Sequence, residues 1–317
     1  MMNKTEALQY TPTISILTPV YNQERFIAET IESVISQEYP NLEYMVIDDG
    51  STDNTLDIIK TYDNKLKWQT QTNMGETATV NKGVSLLTGE IVGIINGDDP
   101  LLPGAVAAMA QCFSARPELV AVYPDWKMID ANGQLLSEMK TQDYDYTKMI
   151  RGHDCLPGPG CFFKRDIFLK LNGRDPSFRY TADFEFWLRA GLEGPFARIP
   201  QTLASFRWYN EGTSLSARGV NMAAEHIRLV DKTFALPNFP DYINKYKHEA
   251  YSSAYFYAGA SCGDNIPLKK EYFSKAVKTA PGTYLWKYRS HTLEMIRIAA
   301  PAIYKILKKI LKILRPK

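Results

Sequence analysis

A short apolar run, Ile14 to Val20, ends at Tyr21-Asn22, and apolar residues then recur at Phe26, Ile27, Ile31, Val34 and Ile35. The first pattern predicts a buried strand and the second a helix, because three- and four-residue spacing puts side chains on one helical face. The cycle repeats three times: Tyr44 to Ile47 with a helix from about Asp53, Leu66 to Gln71 with a helix from about Glu76, and Ile91 to Ile95 with a helix from Pro103. Alternating strands and helices imply an α/β fold with a mostly parallel sheet flanked by helices. Each strand is followed by small, polar or acidic residues: Tyr21-Asn22, Asp48 to Ser51, Asn73 to Gly75, and Asn96 to Asp99. In an open sheet of this kind these connections share the carboxyl edge, where ligands bind.

From Leu119 the pattern loosens. Val120 to Tyr123 predicts a strand, Asp130 to Gly133 a hairpin turn, and Leu156 to Gly160 a Pro/Gly-rich loop leading into Cys161-Phe162-Phe163. Thr181 to Leu192 predicts a helix, with Phe196 to Ile199 and Gln201 to Trp208 as two extended segments. Beyond Ser216 helical periodicity dominates, in segments near 219–235, 240–261 and 267–279, which implies an α-helical appendage.

The 317 residues, 45% hydrophobic and 23% charged, suit one large domain with an appendage, and the net charge of +2 gives no reason to expect nucleic acid. Four widely spaced cysteines (Cys112, Cys155, Cys161, Cys262) suggest neither a zinc site nor a disulfide framework. No apolar run approaches the roughly 18 residues of a membrane span, and the polar first residues lack a signal peptide's core, so a cytoplasmic location is expected.

The acids carry the chemistry. Ser51 to Asp53 can cap the following helix, and Asp53 is assigned to that. Asp48 and Asp49 stand together at a strand end, where two carboxylates repel and would gain from a ligand offering donors. Asn96-Gly97-Asp98-Asp99 is either a capped loop or a hard-oxygen site for Mg²⁺ or Mn²⁺ on a diphosphate. Neither a G-x-G-x-x-G after the first strand nor a P-loop occurs, which disfavours dinucleotide dehydrogenases and P-loop enzymes. Asp183 lies four residues before Trp187 on one face of a helix, where it is either a dipole-favoured acid or a general base.

The order Thr18-Pro-Val-Tyr-Asn22, Val46 to Asp53, Asn73-x-Gly75 with Ala78, Asn81 and Gly83, Thr88-Gly-Glu90, and Asn96-Gly-Asp-Asp99 with Pro103 resembles the family 2 glycosyltransferases over roughly residues 13–210. The resemblance implies a GT-A fold and an inverting transfer from a nucleoside diphosphate sugar (UDP-, GDP- or dTDP-linked) to a glycan or lipid-linked acceptor hydroxyl. It implies a nucleotide site of Pro19, Tyr21, Asn22, Asp49, Asn73, Gly75, Asn81, Asn96 and Gly97, and a divalent metal, Mn²⁺ or Mg²⁺, on Asp98 and Asp99. Asn96 stands where the first acid of the DXD motif is usual. Thr181 to Arg189 resembles the family's base motif and makes Asp183 the base, while Glu185 projects differently and is expected in solvent. Arg207 to Ser216 looks like the family's arginine, histidine and serine segment, with Tyr209 at the histidine position; Arg207 and Trp187 are assigned to diphosphate or acceptor, and Lys82 is expected in solvent.

These readings divide the chain into an extension (1–12), a GT-A domain (13–216, with a nucleotide half 13–103 and an acceptor half 104–216), a helical appendage (217–295) and a basic amphipathic helix (296–317). In Ala299 to Lys317 seven Ile and Leu side chains share one face, ringed by four lysines and Arg315. Such a helix either docks on the protein's own core or lies peripherally on an anionic membrane, here the inner face of the cell membrane. Two rivals remain: a sugar nucleotidyltransferase, which would need a glycine-rich basic loop after the first strand, and a catalytically silent sugar-nucleotide binder, which Asn96 favours.

Overall fold

The structure, a computed structural model, describes residues 11–209 and 219–281. Of these, 11–145 with 155–209 form one compact unit, and 146–154 with 219–281 form another. The first unit is built on an eight-stranded sheet. β1 (Ile14–Val20), β2 (Leu42–Asp48), β3 (Lys67–Thr70) and β4 (Ile91–Ile94) are parallel in the order β3-β2-β1-β4, and α1 (Ile27–Ile35), α2 (Thr55–Lys60) and α3 (Glu76–Leu86) connect them. β1 is buried along its whole length, as a mostly apolar central strand requires, and its two hydroxyls find partners, Ser15 in Glu43 and Thr18 in Tyr44. α1 turns Ile27, Thr30, Ile31 and Val34 inward at helical spacing, and its isoleucines join Ile14, Ile16, Val46 and Ile91 in one core.

Past α4 (Ala105–Ala115) the sheet becomes mixed. β5 (Ala121–Ile129) and β6 (Leu135–Met139) form the expected hairpin, and the short β7 (Phe162–Lys164) sits antiparallel between β4 and β5. The two extended segments expected after residue 196 are one strand, β8 (Phe196–Arg207), parallel to β5. Its register jumps from Ile199 opposite Pro124 to Thr202 opposite Asp125. Pro200 has no N–H to give the ladder, so the break that sequence pattern reads as an end of strand is a bulge. α6 (Arg165–Lys170) and α7 (Ala182–Ala190) complete the unit.

One glycine fixes the carboxyl edge. Gly50 has φ +77°, and a Cβ there would lie 2.9 Å from both Asn73 N and Gln71 O. The loop after β2 is thereby seated directly on the loop after β3, which only glycine permits.

The second unit contains α5 (Tyr146–Gly152), α8 (Val220–Phe234), α9 (Asp241–Asn244), α10 (Lys247–Ser261) and α11 (Ile266–Thr279). The three long helices agree with the periodicity, whereas α5 lies within the stretch assigned to the GT-A domain. α10 presents Ser252, Ser253, Ala254, Ala258 and Gly259 inward, and a Cβ on Gly259 would be 2.7 Å from the Phe273 ring, so α10 and α11 pack closely. α5 is tied in by Arg151 to Glu249 at 2.7 Å and by Ser253 Oγ donating to Arg151 O at 2.7 Å. His153 is buried beside His226, their nitrogens 2.9 Å apart, with His226 Nε2 3.2 Å from Ser261 Oγ. Among the described residues no helix is long and apolar enough to cross a membrane.

Burial pushes His226 from 6.5 down to about 4. A depressed folded value means the neutral ring is favoured in the fold, so its contribution is complete above pH 6.5 and is lost as pH falls through 4, on the order of 3 kcal/mol in all. His226→Gln should therefore destabilise less at pH 4 than at pH 7 in urea denaturation. An equal cost at both pH values would show that His226 is not buried neutral.

Candidate functional site

The loops after β1 and β2 are clasped together. Asn22, at φ +51°, receives Thr52 N on its Oδ1 at 2.8 Å and donates its own N–H to Ser51 Oγ at 2.9 Å. Glu24 N donates to Asp53 at 3.1 Å, and Asn54 N donates back to Glu24 at 2.9 Å. Asp53 also accepts Thr55 N at 3.0 Å in the first turn of α2, in line with the capping role expected of it. Burial raises its carboxyl, but the Thr55 hydroxyl and then the backbone donors outweigh it and hold the group below the usual range. Asp48 is wholly internal, accepting Ser51 N at 3.1 Å and Thr70 Oγ1 at 2.7 Å.

Asp49 organises the next loop. Its carboxylate accepts Met74 N at 2.9 Å, Gly75 N at 2.8 Å and Gln71 Nε2 at 2.8 Å, at 3% exposure. Gln71 in turn takes Lys82 Nζ on its Oε1 at 2.7 Å, so Lys82 is not the solvated lysine expected. A carboxylate has about four lone-pair sites, and these three bonds leave one for a ligand donor. Around it Tyr21 is 44% exposed, Asn73 and Gly75 are exposed, and Pro19 is buried in β1. Gly97 is buried, and a Cβ on it would be 2.8 Å from Val20.

The two adjacent acids after β4 face opposite ways. Asp99 is buried, its Oδ1 accepting Arg207 N at 2.8 Å and its Oδ2 accepting Asn96 Nδ2 at 3.1 Å. Burial, with the charge of Asp98 added, drives its carboxyl well above the usual range. Asp99, assigned with Asp98 to a metal, is the buried one of the two, and each of its oxygens already holds a group of the protein itself, a backbone N–H and a side-chain amide. Arg207 is likewise buried. Its side chain is 1% exposed, donating to Asp98 O at 3.0 Å and Asp130 O at 3.1 Å, paired with Glu29, and lying over the Phe26 ring at 4.6 Å. It braces the site from behind and faces no diphosphate.

Asp98 is half-buried, and burial raises its carboxyl above the usual range. Its Oδ2 accepts Tyr209 OH at 2.8 Å, and Gln23 reaches the same oxygen at 3.5 Å and the Tyr209 hydroxyl at 3.3 Å. Tyr209 packs on Phe26, centroids 4.9 Å apart. Asn96 beside it is exposed and has turned its amide nitrogen to Asp99, which leaves its carbonyl outward. Asp98 and Asn96 are hard oxygen donors and fit Mg²⁺ or Mn²⁺. Among the described residues no group of three His, Cys, Asp or Glu could hold an ion unaided, so a ligand's phosphates and water would supply most of the coordination.

Asp183 opens α7 and is exposed, its Oδ1 accepting Phe184 N at 2.7 Å. Trp187, placed on the same helical face, turns inward instead, 5% exposed, among Phe163, Phe186 and Phe196. Trp187 is therefore a core residue and no acceptor contact. Glu185, expected in solvent, is 2% exposed and receives both Nε and Nη2 of Arg189, at 2.7 and 2.6 Å. Arg189 also donates to Leu171 O and Gly173 O, so the pair locks α7 to the turn after α6. Asn81 is a clasp as well: its side chain exchanges two 2.8 Å bonds with the backbone N and O of Arg174. Sequence reasoning missed Gln23, Gln71 and Arg174 as parts of the edge. Only Tyr209 carried a signal, its place in the arginine-led segment.

Residues 15–171 match the family described as Glycosyl transferase family 2. A stretch of 249 residues is 27% identical to the chondroitin synthase of Escherichia coli and covers 77% of this chain but 35% of that one, so the chain spans about a third of that relative. The fold is similar to S. aureus TarS 1-349 in complex with UDP-GlcNAc, with TM-score 0.66, 17% identity and coverage of 85% of this chain and 82% of that one. It is similar also to the mannosyltransferase PcManGT of Pyrobaculum calidifontis in complex with GDP-Man and Mn²⁺, with TM-score 0.61, 18% identity and coverage of 95% and 89%.

Asp49→Asn would turn an amide N–H toward the donors of Met74 or Gly75. We expect a cost of about 1–3 kcal/mol in urea denaturation, the penalty of a buried unmatched donor; an unchanged midpoint would mean that this carboxylate does not hold the loop.

Proposed function

Because residues 15–171 make this chain a carrier of a glycosyltransferase family 2 domain, we propose that it moves a sugar from a nucleoside diphosphate sugar to an acceptor hydroxyl with inversion at the anomeric carbon. The observation that carries this reading is where the acids face. Asp48 and Asp99 are buried and Asp53 starts α2, each bonded to groups of the fold, while Asp98 is half-buried and Asp183 exposed at the end of β4 and the start of α7, and Asp49 after β2 keeps one lone-pair site.

Asp49 accepts an N–H of the nucleobase on its remaining lone pair, and the exposed ring of Tyr21 covers the base. Asp98, with the carbonyl of Asn96, holds the divalent ion; when bound, that ion supplies positive charge to the leaving diphosphate. Tyr209 and Gln23 fix the orientation of Asp98 by occupying Oδ2. The carboxylate of Asp183 takes the proton of the acceptor hydroxyl as that oxygen attacks the face of the sugar opposite the diphosphate. The complexes of similar folds, one with UDP-GlcNAc and one with GDP-Man and Mn²⁺, support a nucleotide-sugar donor and a divalent ion. The likeness to a chondroitin synthase supports an acceptor in polysaccharide or glycolipid assembly.

The silent-binder reading draws on Asn96 and on the Tyr209 hydroxyl sitting on Asp98. A nucleotidyltransferase is disfavoured because Tyr21 to Glu24 is a carboxylate- and amide-clasped turn with no glycine. The basic amphipathic segment 299–317 lies outside the described residues, and we assign it to peripheral contact with an anionic membrane, where its lysines meet lipid phosphates.

Two outcomes check these assignments. With a sugar nucleotide and Mn²⁺, Asp183→Asn should lower turnover by about 10²- to 10⁴-fold while leaving donor affinity in place, and Asp98→Ala should lose the metal dependence; a silent binder shows no turnover even in the parent. Co-sedimentation with anionic liposomes should fall on deletion of residues 299–317, and equal sedimentation would remove the membrane assignment.

A further inference from the structure

Four arginines of the sheet unit have buried or nearly buried side chains, and three of them are well matched. Arg189 has Glu185 and two carbonyls, Arg207 has Glu29 and two carbonyls, and Arg198 holds both oxygens of Asp125 at 2.8 and 2.9 Å. Arg174 is the exception. Its side chain is 9% exposed, yet its Nε is enclosed with no hydrogen-bond partner among the described residues, and Nη1 meets only Glu76 at 3.1 Å. Glu76 is 59% exposed, and an ion pair with a carboxylate in water contributes little. A guanidinium carries five N–H donors, and a buried one left short of acceptors is costly to keep.

The cost is tolerated at a position that is held firmly. Gly173, at φ +71°, turns the chain into Arg174, and a Cβ on it would be 2.5 Å from Asn81 Oδ1. Asn81 grips the backbone of Arg174 from α3, and Thr77 Oγ1 donates to Phe178 O at 3.3 Å farther along the same turn. The side chain therefore projects from a bolted backbone toward Glu76, the residue after the Asn73 to Gly75 turn that Asp49 supports. Glu76 is near enough for its charge to act on Asp98, and the charges of Arg174 and Asp183 both act on the buried Cys161 thiol. Arg174 thus shares a neighbour with each of the two assigned acids: Glu76 with Asp98, and Cys161 with Asp183.

We propose that Arg174 binds an oxyanion of the donor, either a phosphate of its diphosphate or a carboxylate carried by its sugar. This rests on the glycosyltransferase reading and gives the chain a guanidinium for the donor in place of Arg207, whose donors are spent inside the fold. Glu76 is the placeholder: its carboxylate occupies Nη1 until an anion of the substrate takes the fork, a bidentate match for planar oxyanions.

Titration calorimetry in Mn²⁺ with UDP, GDP and dTDP, and with UDP-glucose and UDP-glucuronate, separates the two sources. If the anion is the diphosphate, Arg174→Met weakens the bound nucleoside diphosphate itself by about 10- to 100-fold, the range for a charged hydrogen bond. If it is the sugar carboxylate, the variant leaves UDP and UDP-glucose unchanged and weakens UDP-glucuronate alone. Glu76→Gln keeps Arg174 and removes its competitor, so it should tighten the same probe by up to about fivefold, and it serves where Arg174→Met fails to fold. A parent that binds these probes, with both variants within twofold of it, overturns the assignment of Arg174 and leaves the glycosyltransferase reading intact. A parent that binds none of them overturns that reading, and this assignment with it.

Discussion

The carboxyl edge depends on one buried cation. Arg207, at the end of β8, meets the carbonyls of Asp98 and Asp130, the carboxylate of Glu29 and the face of Phe26. It thereby joins the loop after β4, the β5–β6 turn and α1 at a single guanidinium. A charge removed from water requires all of these partners at once, because losing any one leaves desolvated donors unmatched. That requirement makes the arrangement rigid. Asp99, accepting the Arg207 N–H, is held facing inward, and its neighbour Asp98 is consequently held facing outward.

The same economy governs the other acids. The edge carries more carboxylates than a ligand needs, and most of them are satisfied by backbone N–H groups of adjoining loops. Asp48 closes its own turn, Asp53 starts α2, and Asp49 draws the Met74 and Gly75 amides together while retaining capacity on one oxygen. The loops form one surface because each acid spans two of them. The candidate site consists of whatever hydrogen-bonding capacity the scaffold leaves over.

Much of the nucleotide half was legible because its central parallel strands are mostly apolar and their helices keep a three-to-four spacing. β1 and the start of α3 fall where periodicity puts them. The sheet's second half was less so: Pro200 disguises a bulge as a strand end, and β7, three residues long, is too short to show a period. Which acids would be bound by the fold was not legible at all. Asp98 and Asp99 are identical neighbours in sequence, and what separates them is the N–H of a residue 108 positions away. Glu185 and Trp187 misled for a related reason: an acid off the motif face is read as solvated and an aromatic on it as chemistry, and only three-dimensional packing reveals Arg189 and the Phe163 cluster as their partners.

The route of the backbone between the two units has a temporal consequence. Residues 146–154 belong with helices that begin at residue 220, while the strands on either side of that segment belong to the sheet. Met149 and Ile150 are buried in the finished fold, and Ser253 and Glu249, which tie α5 down through Arg151, lie roughly a hundred residues later. At about 5–20 residues per second of synthesis, α5 leaves the ribosome about 5–20 s before its partners. During that interval α5 lacks the partners that hold it, so the nascent chain carries an unanchored apolar segment while β7 and β8 are still being made and the sheet is completed around it.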